Sequence, residues 1–412
     1  MNNASISIVM YGIKKCSGAC LYCSAASTMD YRAKDNKNTF ILKPEETKKT
    51  ILEFCQKSLE QGKNQGGTSL NIDIWGGNPV ENFEPFKQTV EFCETQLKDF
   101  KEIRLHTSGN GLELKDKDIV DFLISHNIHY QLSHDGLGQW LRTGEIDPLY
   151  WEKTRDNITL LAKKGILDWI NCTLSRRNPS FFDNIEYWNK WRKENDLMNC
   201  NLTIKLNHIY DGTPAIDKKW VYSDNAQIKH GEVIGDLNFT GEVLQNYLHE
   251  FRKLAYILFT PGVSEEPYWK PFANYITEQA KRFRMLKEGE TAGSCVAFQR
   301  GLTDKNFAID TTGKYCQCNL IDSSMTVKNK NAKQPDYCKD CKYKNMAECN
   351  PCGSEQLPEK CEYHWWWAKT LEETFQVQEL ISAMQKNTGH VCNCNKEQPN
   401  PEPVFCVKGY KV

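Results

Sequence analysis

Three cysteines, Cys16, Cys20 and Cys23, stand in the run KKCSGACLYCSAAS, a C-x3-C-x2-C triplet directly after the apolar stretch SISIVMYGI. Three thiolates can hold three irons of a cubane and leave the fourth open. An iron with an open position can bind a small molecule and pass it one electron, which differs from the chemistry of a closed four-cysteine site. The triplet therefore points to reductive cleavage of a bound cofactor. A zinc site prefers two C-x2-C pairs brought together, and no second pair lies near residues 16 to 23.

A second set of thiols crowds the C-terminal third. Cys295 is followed by Gly313 and Cys318 in a G-x4-C arrangement, with Cys316 between them, and then by Cys338, Cys341, Cys349, Cys352 and Cys361. The chain carries 18 cysteines in 412 residues, far above average usage. In a secreted chain such a count would mean disulfides, but the N-terminus lacks the basic region, apolar stretch and cleavage site of a signal peptide. We therefore expect reduced, ligating cysteines and a cytoplasmic protein. No apolar run reaches the roughly 18 residues of a membrane helix, and mean hydropathy is below zero. The formal charge of -1 gives no reason to expect a nucleic-acid partner.

With Tyr22 before the third thiol, the first triplet resembles the C-x3-C-x-aromatic-C signature of the radical S-adenosylmethionine (radical SAM) superfamily. The later cysteines resemble the SPASM extension of that superfamily, which usually reads C, G-x4-C, C-x2-C-x5-C-x3-C and a final C. Here the third gap is seven residues and the fourth is two. The resemblance implies a 4Fe-4S cluster on Cys16, Cys20 and Cys23, S-adenosylmethionine on its open iron, and one or two auxiliary iron-sulfur clusters. By analogy of order, Cys338, Cys341, Cys349 and Cys361 would hold one of these. Cys295, Cys318 and Cys352 would hold the other, with Cys316 or a substrate atom as fourth ligand. From the residues alone, two C-x2-C pairs with a seven-residue gap also admit a zinc ribbon, though the gap is short for one.

The elements that must position these groups alternate along the first half. Strand-like segments cover 4–12, 69–75, 102–107, 129–134, 168–175 and 202–207, separated by segments of helical periodicity such as PEETKKTILEFCQKSLEQG, with Pro44 at an early helical position and Gly62 after the end. Such β-α units make a parallel sheet. The fold class expected is α/β, a partial (β/α)6 TIM-like barrel with a small cysteine-rich C-terminal auxiliary-cluster domain. The divisions expected are 1–215 for the barrel, 216–290 for connecting helices, 291–364 for the auxiliary domain, and 365–412 for a terminal helix and tail.

In parallel β-α folds chemistry sits at the carboxyl ends of strands. The second strand ends in Gly76, Gly77, Asn78 and Pro79, where two glycines let a ligand approach the backbone. The resemblance implies that this loop receives the cofactor's amino group. The family's loop usually reads Gly-Gly-Glu-Pro, so Asn78 replaces a carboxylate, keeping an acceptor and losing its charge. The third strand ends near Thr107, Ser108 and Asn110, the fourth near Ser133 and Asp135, with Arg142 seven residues on, and the fifth at Ser175, Arg177 and Asn178. Any one of these is equally a turn residue; at successive strand ends they suit a shared ligand. Cys55, Cys93, Cys172 and Cys200 fall on element patterns as small core residues. Three adjacent tryptophans, Trp365 to Trp367, should cover core or cluster surface. Cys392, Cys394 and Cys406 lie in an Asn- and Pro-rich tail, as cluster caps, a metal or redox site, or incidental thiols.

The expected function is hydrogen abstraction from a ribosomally made peptide or protein undergoing oxidative modification or cross-linking. Alternatives are a radical SAM dehydrogenase or carbon-bond-forming enzyme acting on a sugar, nucleoside or other small molecule, and a non-enzymatic iron-sulfur electron carrier. The carrier would need neither the glycine loop nor the polar strand ends. An electron donor such as flavodoxin or ferredoxin is expected as a partner, and a chain that begins at its first strand implies either a separate leader-binding protein or a weaker case for a peptide substrate.

Overall fold

Alternating aliphatic and polar residues build six parallel strands, β1 (Asn2–Val9), β2 (Thr68–Trp75), β3 (Glu102–Gly109), β4 (His129–Ser133), β5 (Leu167–Leu174) and β6 (Thr203–His208). The structure is a computed structural model, and it describes residues 2–13, 16–18, 20, 39–143, 147–208, 237, 239–287, 306–316, 358–388, 406–407 and 410–411. Each strand pairs with the next in the chain, so the sheet runs β6-β5-β4-β3-β2-β1. Consecutive parallel order requires a crossover after each strand. The crossovers are α1 (Pro44–Lys63), α2 (Phe83–Gln96), α3 (Lys117–Ser125), the short α4 (Trp140–Thr143) with α5 (Glu152–Lys163), and α6 (Phe181–Glu194). This is the expected α/β architecture, a parallel-stranded partial barrel.

The local signals explain these elements. Pro44 opens α1 with Glu45 and Glu46 in its first turn, complementing the helix dipole, and Ile51, Cys55, Ser58 and Gly62 form its buried face. Asp116 caps α3 by accepting from the Asp118 N–H, and Ser180 caps α6 by accepting from the Asp183 N–H. One face of the sheet is aliphatic: Ile6, Ile8, Leu70, Ile72, Leu132, Ile170 and Ile204 are all buried in a core shared with the helices. The other face carries Ser7, Asp73, His106, Gln131, Asn171 and Lys205, half-buried, at the alternate positions. Strands buried on both faces by packing alone would read as continuous apolar runs. The concave face is therefore built to be polar.

Three longer helices follow. α7 (Gly241–Phe259) and α8 (Lys270–Lys287) pack on α6 and β6 respectively, and α9 (Pro358–Thr388) packs on both. Glu250 of α7 accepts from the backbone N–H groups of Phe181 (2.7 Å) and Phe182 and from the Ser180 hydroxyl, placing a carboxylate at the α6 N-terminus. Trp367, Leu371 and Phe375, four residues apart, form the buried stripe of α9, and Trp367 packs on Phe251 and Tyr247. Trp365 is exposed, so the tryptophan run divides between core and surface. The division expected at residue 364/365 falls inside α9.

Among the described residues, two strands join this sheet beyond the six expected. β7 (Asn306–Asp310) pairs in parallel with the outer edge of β1, Ser5 opposite Asn306 through Val9 opposite Asp310, and β8 (Tyr315–Cys316) folds back antiparallel on it. The turn uses Gly313 at φ +79, where a Cβ would stand 2.6 Å from the Glu46 carbonyl carbon. Thr47 and Thr50 of α1 donate hydroxyls to the carbonyls of Thr311 (3.0 Å) and Gly313 (2.8 Å), bolting the hairpin to the barrel. A final short hairpin joins β9 (Cys406–Val407) and β10 (Tyr410–Lys411). Among the described residues no helix is long and apolar enough to cross a membrane.

Candidate active site

Of the first cysteine triplet, Cys16 and Cys20 lie in the described loop after β1, while Tyr22 and Cys23 lie outside the described residues. The two sulfurs converge. A Cβ placed on Gly18 would stand 3.4 Å from Cys16 Sγ, 3.6 Å from Cys20 Sγ and 3.3 Å from Asn110 Nδ2. Residues from three strand exits hold this loop. The Ser17 N–H donates to Glu81 Oε2 (2.7 Å) after β2, Asn110 Nδ2 after β3 donates to Ser17 Oγ (3.1 Å), and Arg142 Nη1 after β4 donates to Cys20 Sγ (3.5 Å). A guanidinium beside a thiol favours its thiolate, the ligating form. These donors fit the first part of a three-thiolate iron site. Among the described residues no group of three His, Cys, Asp or Glu side chains could hold a metal ion by itself.

The glycine loop is shaped as its sequence requires. Gly76 and Gly77 adopt φ +135 and +61, values that favour glycine, and Met10 N–H reaches back to the Trp75 carbonyl at 2.8 Å. Pro79 is buried and its carbonyl accepts from the Asn82 N–H. Asn78 is also buried, and its Nδ2 donates to Glu113 Oε2 at 2.8 Å. Glu113 stands in the turn after β3 and accepts at its other oxygen from the Tyr130 hydroxyl at 2.5 Å. Burial pushes the Glu113 carboxyl up from its ordinary value, against the opposing pull of the Tyr130 and Asn78 hydrogen bonds. Gly109 makes the arrangement possible, because a Cβ there would overlap both Glu113 Oε1 and the Tyr130 hydroxyl.

The remaining expected residues divide. Ser108 and Ser133 are half-buried on the concave face. Asp135 is fully buried; its Oδ1 accepts from the Thr173 N–H at 2.9 Å and from Arg142 Nη2 at 3.0 Å. Burial raises its pKa and Arg142 opposes the rise. Asp135 thus orients Arg142, the residue beside Cys20. Asn178 donates from Nδ2 to the Asp135 carbonyl (3.1 Å) and accepts from Asn184 Nδ2 (2.9 Å), a cross-link between the exits of β4 and β5. Ser175 is buried beside it, its Oγ without a hydrogen-bond partner among the described residues. Arg177 lies over the Trp140 ring. Asp135, Ser175 and Asn178 therefore hold the strand exits together as well as lying near them.

Several site-lining residues carried no motif. A cavity of about 90 Å³ in the concave face is lined by Asp73, Trp75, His106, Ser108, His129, Gln131, Asp168 and Trp169 among others. A register shift between β4 and β5 inserts Asp168 as an extra residue beside Trp169, and bulges of this kind re-aim side chains. His129 Nδ1 contacts Asp168 Oδ1 at 2.8 Å and stacks on His106 at 5.0 Å. The Asp168 hydrogen bond raises the His129 pKa, whereas burial and then the neighbouring His129 lower that of His106. Burial pushes the Asp73 carboxyl up to about 6, partly offset by Lys205. Their common sequence signal is a polar residue at every second position of a parallel strand.

The cysteines also sort. Cys55, Cys93 and Cys172 are buried core thiols, that of Cys55 pushed up to about 12 by burial, and are poor ligands in that state. Cys316 is buried on β8 against Val9 and Ala308. Cys361 lies on α9, but its side chain, like Cys295, Cys318, Cys338, Cys341, Cys349 and Cys352, lies outside the described residues, as do Cys392 and Cys394.

The fold is shared with solved structures. No protein-family model and no curated protein sequence matches the chain. Among solved structures, native anSMEcpe with bound AdoMet and a Kp18Cys peptide aligns at TM-score 0.56 and 16% identity, covering 91% of this chain and 99% of that one. The same protein with AdoMet and a Cp18Cys peptide aligns at 0.55 and 16%, covering 92% and 99%. Streptococcus suis SuiB bound to precursor peptide SuiA aligns at 0.38 and 13%, covering 77% and 60%, too low a score to bear on the fold. At this identity the likeness shows the fold alone, a parallel-stranded partial barrel shared with anSMEcpe. The shared fold extends over nearly the whole of both chains.

Proposed function

We propose that this protein is a radical SAM enzyme that oxidatively modifies a peptide or protein. The observation that carries the reading is the cysteine loop itself, pinned by Glu81, Asn110 and Arg142 at three successive strand exits. An iron-sulfur cluster with S-adenosylmethionine, when bound, supplies one-electron cleavage of the sulfonium and a 5'-deoxyadenosyl radical that abstracts hydrogen.

The chain's own residues supply the setting. Cys16, Cys20 and Cys23 would hold the cluster. Asp135 orients Arg142 so that its guanidinium lies against Cys20. Gly76 to Pro79, Ser108, Asn110, Ser133, Ser175 and Asn178 would bind the cofactor from the strand exits. The polar concave face, with Asp73, His106, Gln131 and Trp169, would hold substrate and exclude water. A peptide substrate is supported by the anSMEcpe structures, whose bound peptides occupy a protein of this fold. The C-terminal cysteines would hold one or two auxiliary clusters, which would supply an electron acceptor, and a flavodoxin or ferredoxin in the cytoplasm would be the electron donor.

Anaerobically reconstituted, dithionite-reduced protein is expected to release 5'-deoxyadenosine from S-adenosylmethionine, and to carry deuterium into it from a labelled peptide substrate. Release of no 5'-deoxyadenosine by protein with a full iron complement would sink the enzyme reading and leave the electron carrier.

A further inference from the structure

The glycine loop lacks the carboxylate its family usually carries, yet a carboxylate stands directly behind it. Asn78 is 1% exposed and Glu113 is 5% exposed. Glu113 reaches the loop from the turn after the neighbouring strand, and its two oxygens accept from Asn78 Nδ2 and the Tyr130 hydroxyl. With both Glu113 oxygens accepting, the amide of Asn78 presents its Nδ2 side to the carboxyl group and turns Oδ1 away. That Oδ1 is buried with no hydrogen-bond partner among the described residues. A buried acceptor left unmatched costs free energy, and its burial calls for a donor that the described protein residues do not provide. The backbone is fixed as well, since the Asn78 carbonyl accepts from Asn82 Nδ2 at 2.8 Å.

We propose that Asn78 and Glu113 form one acceptor unit for an ammonium group, with Asn78 Oδ1 touching the ligand and Glu113 a positioning residue that supplies the negative charge from behind. On the reading above, the ammonium is that of the methionyl moiety of S-adenosylmethionine. The charge missing at position 78 is thereby restored one hydrogen bond away. The arrangement is built rather than incidental: it needs the absence of a Cβ at Gly109 and a buried Tyr130 hydroxyl on the far side of Glu113.

The test compares two ligands on cluster-reconstituted protein by calorimetry: S-adenosylmethionine, and 5'-methylthioadenosine, which lacks the ammonium. Glu113→Gln keeps the shape, removes the charge and can donate to Asn78 Oδ1, quenching the acceptor. We expect it to weaken S-adenosylmethionine about tenfold or more and leave 5'-methylthioadenosine within about twofold. The double variant Asn78→Glu with Glu113→Gln returns the carboxylate to the loop and should recover most of the lost affinity. Equal weakening of both ligands without rescue would assign Glu113 a purely structural role, and Glu113→Gln binding as wild type would also overturn the unit. Failure of wild-type protein with a full cluster to bind S-adenosylmethionine would instead overturn the cofactor reading, and this inference with it.

Discussion

Asp73→Asn should make the protein more stable at neutral pH, by an amount that depends on pH in a calculable way. Asp73 faces the concave side of β2, where burial lifts its pKa from 3.8 to about 6. The raised value means that the folded state holds the Asp73 proton when the unfolded chain has released it. Stability from this group is therefore full below about pH 4, is lost as pH rises toward 6, and stays lost above that. A shift of about two units corresponds to about 3 kcal/mol. Asparagine keeps the shape and does not titrate, and Lys205 retains Glu278 at 2.9 Å as its partner. The advantage of the variant should grow by about 2 kcal/mol between pH 4.5 and pH 7.5, other groups cancelling in the difference. Anaerobic urea unfolding of both proteins at the two pH values, followed by tryptophan fluorescence, measures it. An advantage that is flat with pH, or shrinks toward pH 7.5, would refute the assignment of Asp73 as a desolvated carboxylate.

Two further outcomes are expected. Gly109→Ala drives a methyl group into Glu113 and Tyr130 and should cost about 3–5 kcal/mol, whereas Gly165→Ala, at φ +70 with nothing within 4 Å, should cost about 1–2 kcal/mol; thermal unfolding separates them. Cys20→Ala should sharply reduce iron bound on reconstitution, while Cys93→Ala, a core position, should keep the iron and lose about 1 kcal/mol of stability.

The six barrel strands were legible because each is a short β-branched or aliphatic run closed by Gly, Asn or Asp, and each lies within three residues of its expected place. β7 was not. NFAID is five residues long and separated from β1 by the whole barrel, so nothing local marks its partner. Ser108 and Ser133 were found because they stand at strand ends, but Asp168 lies at the start of β5, where a bulge breaks the strand alternation. Glu113 escaped because the sequence shows only a carboxylate in a turn; its pairing with Asn78 spans 35 positions and exists only once β2 and β3 lie side by side. Reading Asn78 as a lost charge was a statement about one position, whereas the fold distributes that charge over two.

The pairing of β7 with the outer edge of β1 has a consequence for synthesis. β1 leaves the ribosome before β7 and waits for this partner, made roughly 300 residues later, an interval of about 15–60 s at ordinary translation rates. During that time Ile6 and Ile8 sit on an uncovered edge able to recruit a strand from another nascent chain. Yield of intact protein should therefore depend on translation speed and chaperone supply more than its finished stability would suggest.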